Sequence, residues 1–241
     1  YNQDVAFKYE DTIEALINRV GEDDFYKLFD DALERISNYE ENEAFNIETS
    51  DGTKKALFTR ITENVESSKR NNFAKSVFGI ISQDKFDFSP AFRNNFDFYS
   101  TIFEYLIKDY NVASGVYAEY FTPQAISNII AKILVNMTPV EDKMYEVYDP
   151  SAGSGSLVLH LANELGEGSF GDRAIVYTQD ISSKSTRFLR LNLMLNGLTN
   201  SLDNIIEGDT LLTPAHYNTP HEPSSGVKQF DYITSNPPFK M

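Results

Sequence analysis

Residues 144–157 read MYEVYDPSAGSGSL, and they decide the fold. Met144–Asp149 alternates about the β-branched Val147, as a strand does. A glycine-rich turn follows at 149–155. A helix is expected over about 155–165, stopping at Gly166. The pattern then repeats. AIVYTQD (174–180) reads as a second strand, and Ser182 or Ser183 caps a helix that runs to Asn196 with Gly197 as its stop. Residues 204–206 form a short third strand ahead of Gly208-Asp209. FDYITS (230–235) is a fourth, ending at Asn236-Pro237-Pro238-Phe239. Strand–helix alternation predicts an α/β fold with a parallel sheet and right-handed crossovers.

Upstream, a helix is expected from Gln124 to about Val135. The first half reads helical: 11–19 and 22–36 repeat apolar residues at three- and four-residue steps, with Phe25, Leu28, Phe29, Leu33 and Ile36 in one stripe. Residues 54–65 and 97–109 continue the pattern, and no strand is expected before residue 140. The Phe-rich 82–97 reads as a connector and 211–229, with its three prolines, as a long loop. The boundary falls near 110–115, giving an all-helical domain at 1–112 and an α/β domain at 113–241.

Hydrophobic residues make up 41% of the 241-residue chain and charged residues 24%, the balance of a globular protein with a sizeable core. The absence of Cys excludes a disulfide scaffold, a thiolate zinc site and a Cys nucleophile. No apolar run reaches the ~18–20 residues of a membrane span. The N-terminus lacks a signal segment and an initiator Met, so the expectation is a soluble intracellular protein whose chain starts inside a longer product. The net charge is −15, divided as −9 over residues 1–110 and −6 over 111–241. Such a chain alone is repelled by a polyphosphate, and work on nucleic acid requires a partner with positive surface.

Ligands of open parallel sheets bind outside the C-terminal strand ends, and four polar features fall there. Gly153 and Gly155 allow close backbone approach, with a plain strand–helix turn as the alternative. The turn is neither a dinucleotide fingerprint, since Val158 stands where a third small residue is needed, nor a P-loop. Asp180 suits a pair of ribose hydroxyls, or is a helix-start acid. Asp209 suits an exocyclic purine amine. Asn236-Pro237-Pro238-Phe239 is the sharpest: the prolines fix the backbone, the Asn236 and Pro237 carbonyls can accept from one amino group, and the Phe239 ring can stack on the base that carries it. Its alternative is a proline-rich turn. His216, His221 and Glu222 lie in the long loop with no helix to fix metal geometry, so no metal is expected. Most Phe and Tyr residues recur at helical spacing and read as core. The acidic Glu40–Glu43 reads as a solvated helix end.

These residues together resemble the S-adenosylmethionine-dependent N6-adenine DNA methyltransferases, above all the modification subunit of type I restriction-modification systems. YDPSAGSGSL (148–157) is similar to the cofactor motif, usually D-P-x-x-G-[ST]-G-G. QDIS (179–182) is similar to the ribose-binding turn, GDTL (208–211) to the segment holding the cofactor's adenine, and SNPPF (235–239) to the catalytic motif. EYFTP (119–123) resembles the extra cofactor motif, and FEYLIKDY (103–110) the helix that links the two domains. There are two departures: Ser156 replaces a Gly or Ala, and Asp180 a commoner Glu.

The resemblance implies a Rossmann-like catalytic domain behind a helical one. The family's sheet has seven strands, so the chain is expected to stop after the fourth. The implied cofactor is S-adenosylmethionine, held by Glu119, Tyr120, Phe121, Thr122, Pro123, Gln124, Asp149, Gly153, Ser154, Gly155, Ser156, Asp180, Ile181 and Asp209. Within this set, Thr122 and Gln124 meet its carboxylate at a helix start, and Ile181 packs on its adenine. Asn236, Pro237, Pro238 and Phe239 are the implied catalytic residues, acting on an adenine flipped out of double-stranded DNA. The implied partners are a specificity subunit that reads DNA and a restriction subunit, with two modification subunits per complex, in a bacterial or archaeal cytoplasm. Methyltransferases of RNA guanine or protein glutamine use related Asn-Pro-Pro motifs. The glutamine enzymes favour Tyr where Phe239 stands, and the guanine enzymes generally lack Tyr-Phe-Thr-Pro. A non-catalytic subunit, by contrast, usually loses the Asn or the glycine pair.

Overall fold

The computed structural model describes residues 6–83, 122–137, 141–166, 173–220 and 222–238. The expected helix at 97–109, nearly all of the connector at 82–97 and the boundary at 110–115 lie outside these residues. Two compact units divide the chain. The first comprises residues 1–46 and 54–89, and the second 47–53 and 90–241.

In the first unit, helices α1 (Ile13–Ile17), α2 (Phe25–Asn38) and α3 (Arg70–Ile81) follow one another. Thr12 caps α1 by accepting from the Ala15 N–H. The expected stripe of α2 faces the core. Phe25 and Phe29 are buried, Leu28 and Leu33 flank them, and the Phe78 ring of α3 meets both phenylalanines edge-on at 5.2 and 6.0 Å. Helix α3 has no counterpart among the expected helices, and its buried positions are few. Residues 54–65 are not a helix. They hold a strand, β2 (Lys54–Ala56), and a 3-10 turn at Ile61–Asn64.

Strand β1 (Asn46–Thr49) corrects the expectation of no strand before residue 140. Only four residues long, it has one strongly apolar side chain, Ile47, too short a period to read locally. Its strand state comes from parallel pairing with a segment 158 residues away, Glu48 opposite Ile206 and Thr49 opposite Glu207.

The second unit carries the expected alternation: α4 (Gln124–Met137), β3 (Tyr145–Asp149), α5 (Ser156–Leu165), β4 (Ala174–Asp180), α6 (Ser183–Leu195), β5 (Ile205–Glu207) and β6 (Tyr232–Ile233). The sheet order is β2-β1-β5-β4-β3-β6. β1, β5, β4, β3 and β6 pair in parallel, and the β1–β2 hairpin makes the sheet mixed. Among the described residues it therefore has six strands, not four, since residues 46–56 add two. β6 is shorter than expected, but Asp231 N–H to Glu146 and Thr234 N–H to Tyr148 extend its ladder beside β3.

Helix α5 is buried along most of its length, with Leu157, Val158, Leu159, Leu161 and Leu165 at most 5% exposed. Each such side chain contributes about 1.5–3 kcal/mol of burial. Helix α6 begins at Ser182, whose side chain accepts from the Ser185 N–H, and ends in a Schellman turn. There Gly197 has φ +77°, Leu198 N–H reaches Leu193 O, and Gly197 N–H reaches Met194 O. Among the described residues no helix is long and apolar enough to cross a membrane.

Candidate active site

The chain runs from β3 to β4 to β5 on one side of β3 and then returns to place β6 on the other. This reversal leaves a crevice at the carboxyl ends of β3 and β6. A cleft of about 250 Å³ lies there. It is lined by Pro150, Ser151 and Gly153 after β3, Asp180, Ile181 and Ser182 after β4, Asp209–Leu211 after β5, and Ser235–Pro238 after β6. A small recess opens beside it, shared through Ser151, Gly153 and Asn236 and completed by Thr122, Asp149, Ala152, Ser154, Ser156 and Leu157.

The turn after β3 is built on two left-handed glycines, Gly153 at φ +55° and Gly155 at φ +86°. A Cβ on Gly155 would overlap the end of the Leu189 side chain, which is buried and would have to shift to admit it. Asp149, 1% exposed, accepts from the Ser151 N–H at 2.9 Å. Asp180 accepts from the Gly153 N–H and the Ser182 N–H, each at 2.8 Å. It thereby ties the β3 turn to the start of α6. From α6, the buried Asn192 amide donates to Ser154 O at 3.2 Å, and Asn196 in turn donates to Asn192. Ser156, which stands where the resembled motif has Gly or Ala, is buried, and its hydroxyl meets the Ser127 hydroxyl of α4 at 3.1 Å.

Burial pushes the Asp149 carboxyl up to about 7. The Asp180 charge acts in the same direction, and the Ser151 hydrogen bonds act against it. Burial also raises the Asp180 carboxyl, against its two backbone N–H bonds. A raised carboxyl holds its proton longer in the fold than in the unfolded chain. Stability from Asp149 is thus fully present below the ordinary value of 3.8 and is lost as pH rises through about 7. Asp149→Asn keeps an acceptor for Ser151. In urea denaturation without cofactor, it should gain stability over the parent as pH rises from about 5 to about 8. Equal pH slopes for the two proteins would refute this.

After β5, Asp209 Oδ1 accepts from the Leu211 and Leu212 N–H groups at 2.9 and 3.1 Å, and the Thr210 hydroxyl donates to Pro150 O at 2.6 Å. Ile181 and Leu211 leave apolar surface open at the cleft, 71% and 75% exposed. After β6, the Ser235 and Ser151 hydroxyls meet at 2.8 Å, joining the Asn-Pro-Pro segment to the glycine turn. Asn236 is exposed, and its amide nitrogen donates to the Thr122 hydroxyl at 3.1 Å. Thr122 and Pro123 immediately precede α4, which opens at Gln124.

The structure thus gathers at one crevice Thr122, Asp149, Gly153, Ser154, Ser156, Asp180, Ile181, Asp209 and Asn236–Pro238, with Gly155 opening α5 directly behind them. Glu119, Tyr120, Phe121 and Phe239 lie outside the described residues, as does His221. Asn192, Ser127 and Thr210 are not among the residues expected from the sequence. An Asn pair four apart in NLMLNG is the one local signal for Asn192; the others show only as contacts. Residue His216 packs edge-on against Tyr148 and Tyr177, and its Nε2 lies 3.0 Å from Thr178 O. The buried Gln179 amide bonds Thr213 O and the Ala215 N–H, fixing the start of the long loop to the sheet. Among the described residues no group of three or more His, Asp or Glu could hold a metal.

Comparison with known proteins gives four matches. The N-6 DNA methylase family model matches residues 94–241. The methylase subunit of the type I restriction enzyme MpnII from Mycoplasma pneumoniae is 30% identical over 163 residues, 67% of this chain and 29% of that protein. The MjaIX methylase subunit of Methanocaldococcus jannaschii is 25% identical over 145 residues, 59% of this chain and 23% of that protein. The chain therefore spans less than a third of the length of either relative. The crystal structure of a type I restriction-modification methyltransferase subunit from Streptococcus thermophilus superposes with a TM-score of 0.61 at 19% identity. The match covers 97% of this chain and 45% of that one, and it shows a shared fold.

Proposed function

This chain belongs to the N-6 DNA methylase family, and from that premise we propose that it carries the cofactor cleft and catalytic motif of a type I restriction-modification methyltransferase, which moves a methyl group from S-adenosylmethionine to N6 of adenine in DNA. One observation carries the reading: the ends of β3, β4, β5 and β6 line a single cleft with Asn236 at its edge.

The cleft's donors and acceptors fit S-adenosylmethionine. Each Asp180 oxygen accepts one backbone N–H and keeps capacity for a ribose hydroxyl. Ile181 and Leu211 offer apolar surface to a purine. Asp209 Oδ1 is committed to its turn, so an adenine amine falls to Oδ2. The glycine turn offers backbone without side chains, and the start of α4 after Thr122-Pro123 offers N–H groups to a carboxylate. Bound there, the cofactor supplies an electrophilic methyl group on a sulfonium.

The remaining work is orientation. Asn236 Oδ1 and the Pro237 carbonyl accept from the amino group of a flipped adenine and turn its nitrogen lone pair toward the cleft. Pro237 and Pro238 hold that direction, and Phe239 stacks on the extruded base. With no Cys in the chain, attack on a ring carbon by a thiolate has no nucleophile. The net charge of −15 supports a division of labour in which a specificity subunit with positive surface reads the duplex. The family reading adds the rest of the proposed assembly: two copies of this chain, a restriction subunit, and a bacterial or archaeal cytoplasm.

The test is to incubate the full-length protein, assembled with its specificity subunit, with duplex DNA and labelled S-adenosylmethionine. N6-methyladenine is the expected product on nucleoside analysis. Label in RNA or in a glutamine peptide instead, or no transfer with cofactor bound, would overturn the reading.

A further inference from the structure

An Asn side chain does the proposed work only in one of its two amide orientations. With Oδ1 toward the substrate amine it accepts; turned over, it presents two N–H groups to another donor. The terminal amide torsion is broad and roughly two-fold, so an exposed Asn does not choose by itself. Asn236 is exposed, and its nitrogen donates to the Thr122 hydroxyl at 3.1 Å. That bond engages the amide nitrogen and leaves Oδ1 as the end that can accept from a substrate amine.

Thr122 is itself well placed to hold this orientation. Pro123 restricts the backbone that follows it. The Ser127 hydroxyl, one turn into α4, reaches Pro123 O at 3.4 Å and Ser156 at 3.1 Å, and Ser156 directly follows Gly155. Ser151 and Ser235 link the same glycine turn to the residue before Asn236. Side-chain hydrogen bonds thus tie the glycine turn to the residue after Thr122 on one side and to the residue before Asn236 on the other.

Resting on the adenine-methylation reading above, we propose that Thr122 is a positioning residue: its hydroxyl accepts from the Asn236 amide and holds Oδ1 toward the substrate amine. The side chain serves the transferring end of the site rather than the cofactor's carboxylate. Ser156, at a position the resembled motif gives to Gly or Ala, belongs to the same support.

The test uses the full-length protein in its assembled complex. Thr122→Val keeps the shape and removes the hydroxyl. It should lower kcat about tenfold, the scale of one hydrogen bond, with cofactor affinity by calorimetry and KM for DNA within about twofold. Thr122→Ser should restore most of the rate. In an Asn236→Ala background, Thr122→Val should cost nothing further, because the two act as one unit. A parent-like kcat for Thr122→Val would overturn the proposal. So would a loss that appears in cofactor affinity alone, or a Ser variant as slow as the Val variant. Loss of all dependence on Asn236 would instead strike the methyltransferase reading itself, and the Asn236→Ala control separates the two failures.

Discussion

Asn236→Ala is expected to cut methyl transfer by at least ~100-fold in the assembled complex, the scale for removing one positioned group that acts in the transition state. The ladder bonds of β6 and the Ser151–Ser235 contact fix the segment through residue 235, and two prolines fix it after 236. Truncation therefore removes the amide without releasing the backbone. Cofactor affinity should change little, since Asp180, Asp209 and the glycine turn remain. Single-turnover methylation with calorimetry in parallel separates the two quantities. A variant that still methylates near the parent rate would reduce Asn-Pro-Pro to a turn, and a non-catalytic subunit would then be the better reading.

The second large effect is on the scaffold. Gly155→Ala places a Cβ where φ is +86° and where Leu189 already lies. The left-handed conformation costs roughly 1–2 kcal/mol, and overpacking costs about 1–3 kcal/mol more. A total of ~2–5 kcal/mol is expected in urea denaturation, with weaker cofactor binding as the turn shifts. Gly197→Ala is the internal control. It shares a positive φ of +77°, but nothing lies within 4 Å of the added methyl, so only the conformational cost should appear. Equal stabilities for the two variants would show that the Leu189 contact relaxes freely.

The second half of the fold was legible because its signals are local. Val147 and Val176 lie in strands whose alternation fits a half-buried sheet, Ser182 caps α6, and Gly197 ends it. Ligands of open parallel sheets sit outside the carboxyl ends of the strands, so the polar strand ends point to one crevice from topology alone. Strands β1 and β2 were not legible. Asn46–Thr49 has no periodic run to announce it, and its pairing with β5 joins segments far apart in sequence. The helical expectation for 54–65 failed for a related reason: apolar spacing over a few residues fits a strand and a 3-10 turn as well as a helix.

By itself, the sequence determined the α/β alternation, the glycine turn and the residues Asp180, Asp209 and Asn236–Pro238, because backbone propensity, caps and the strand period act within a few residues. Only the tertiary structure decided what those groups face. It closed Asp180 onto Gly153, buried Asp149 beside a second carboxylate, turned Ser156 toward Ser127, and set the Thr122 hydroxyl on the Asn236 amide. Hydrogen-bond direction and desolvation depend on side chains brought together from segments up to 114 residues apart, and no local pattern encodes that proximity.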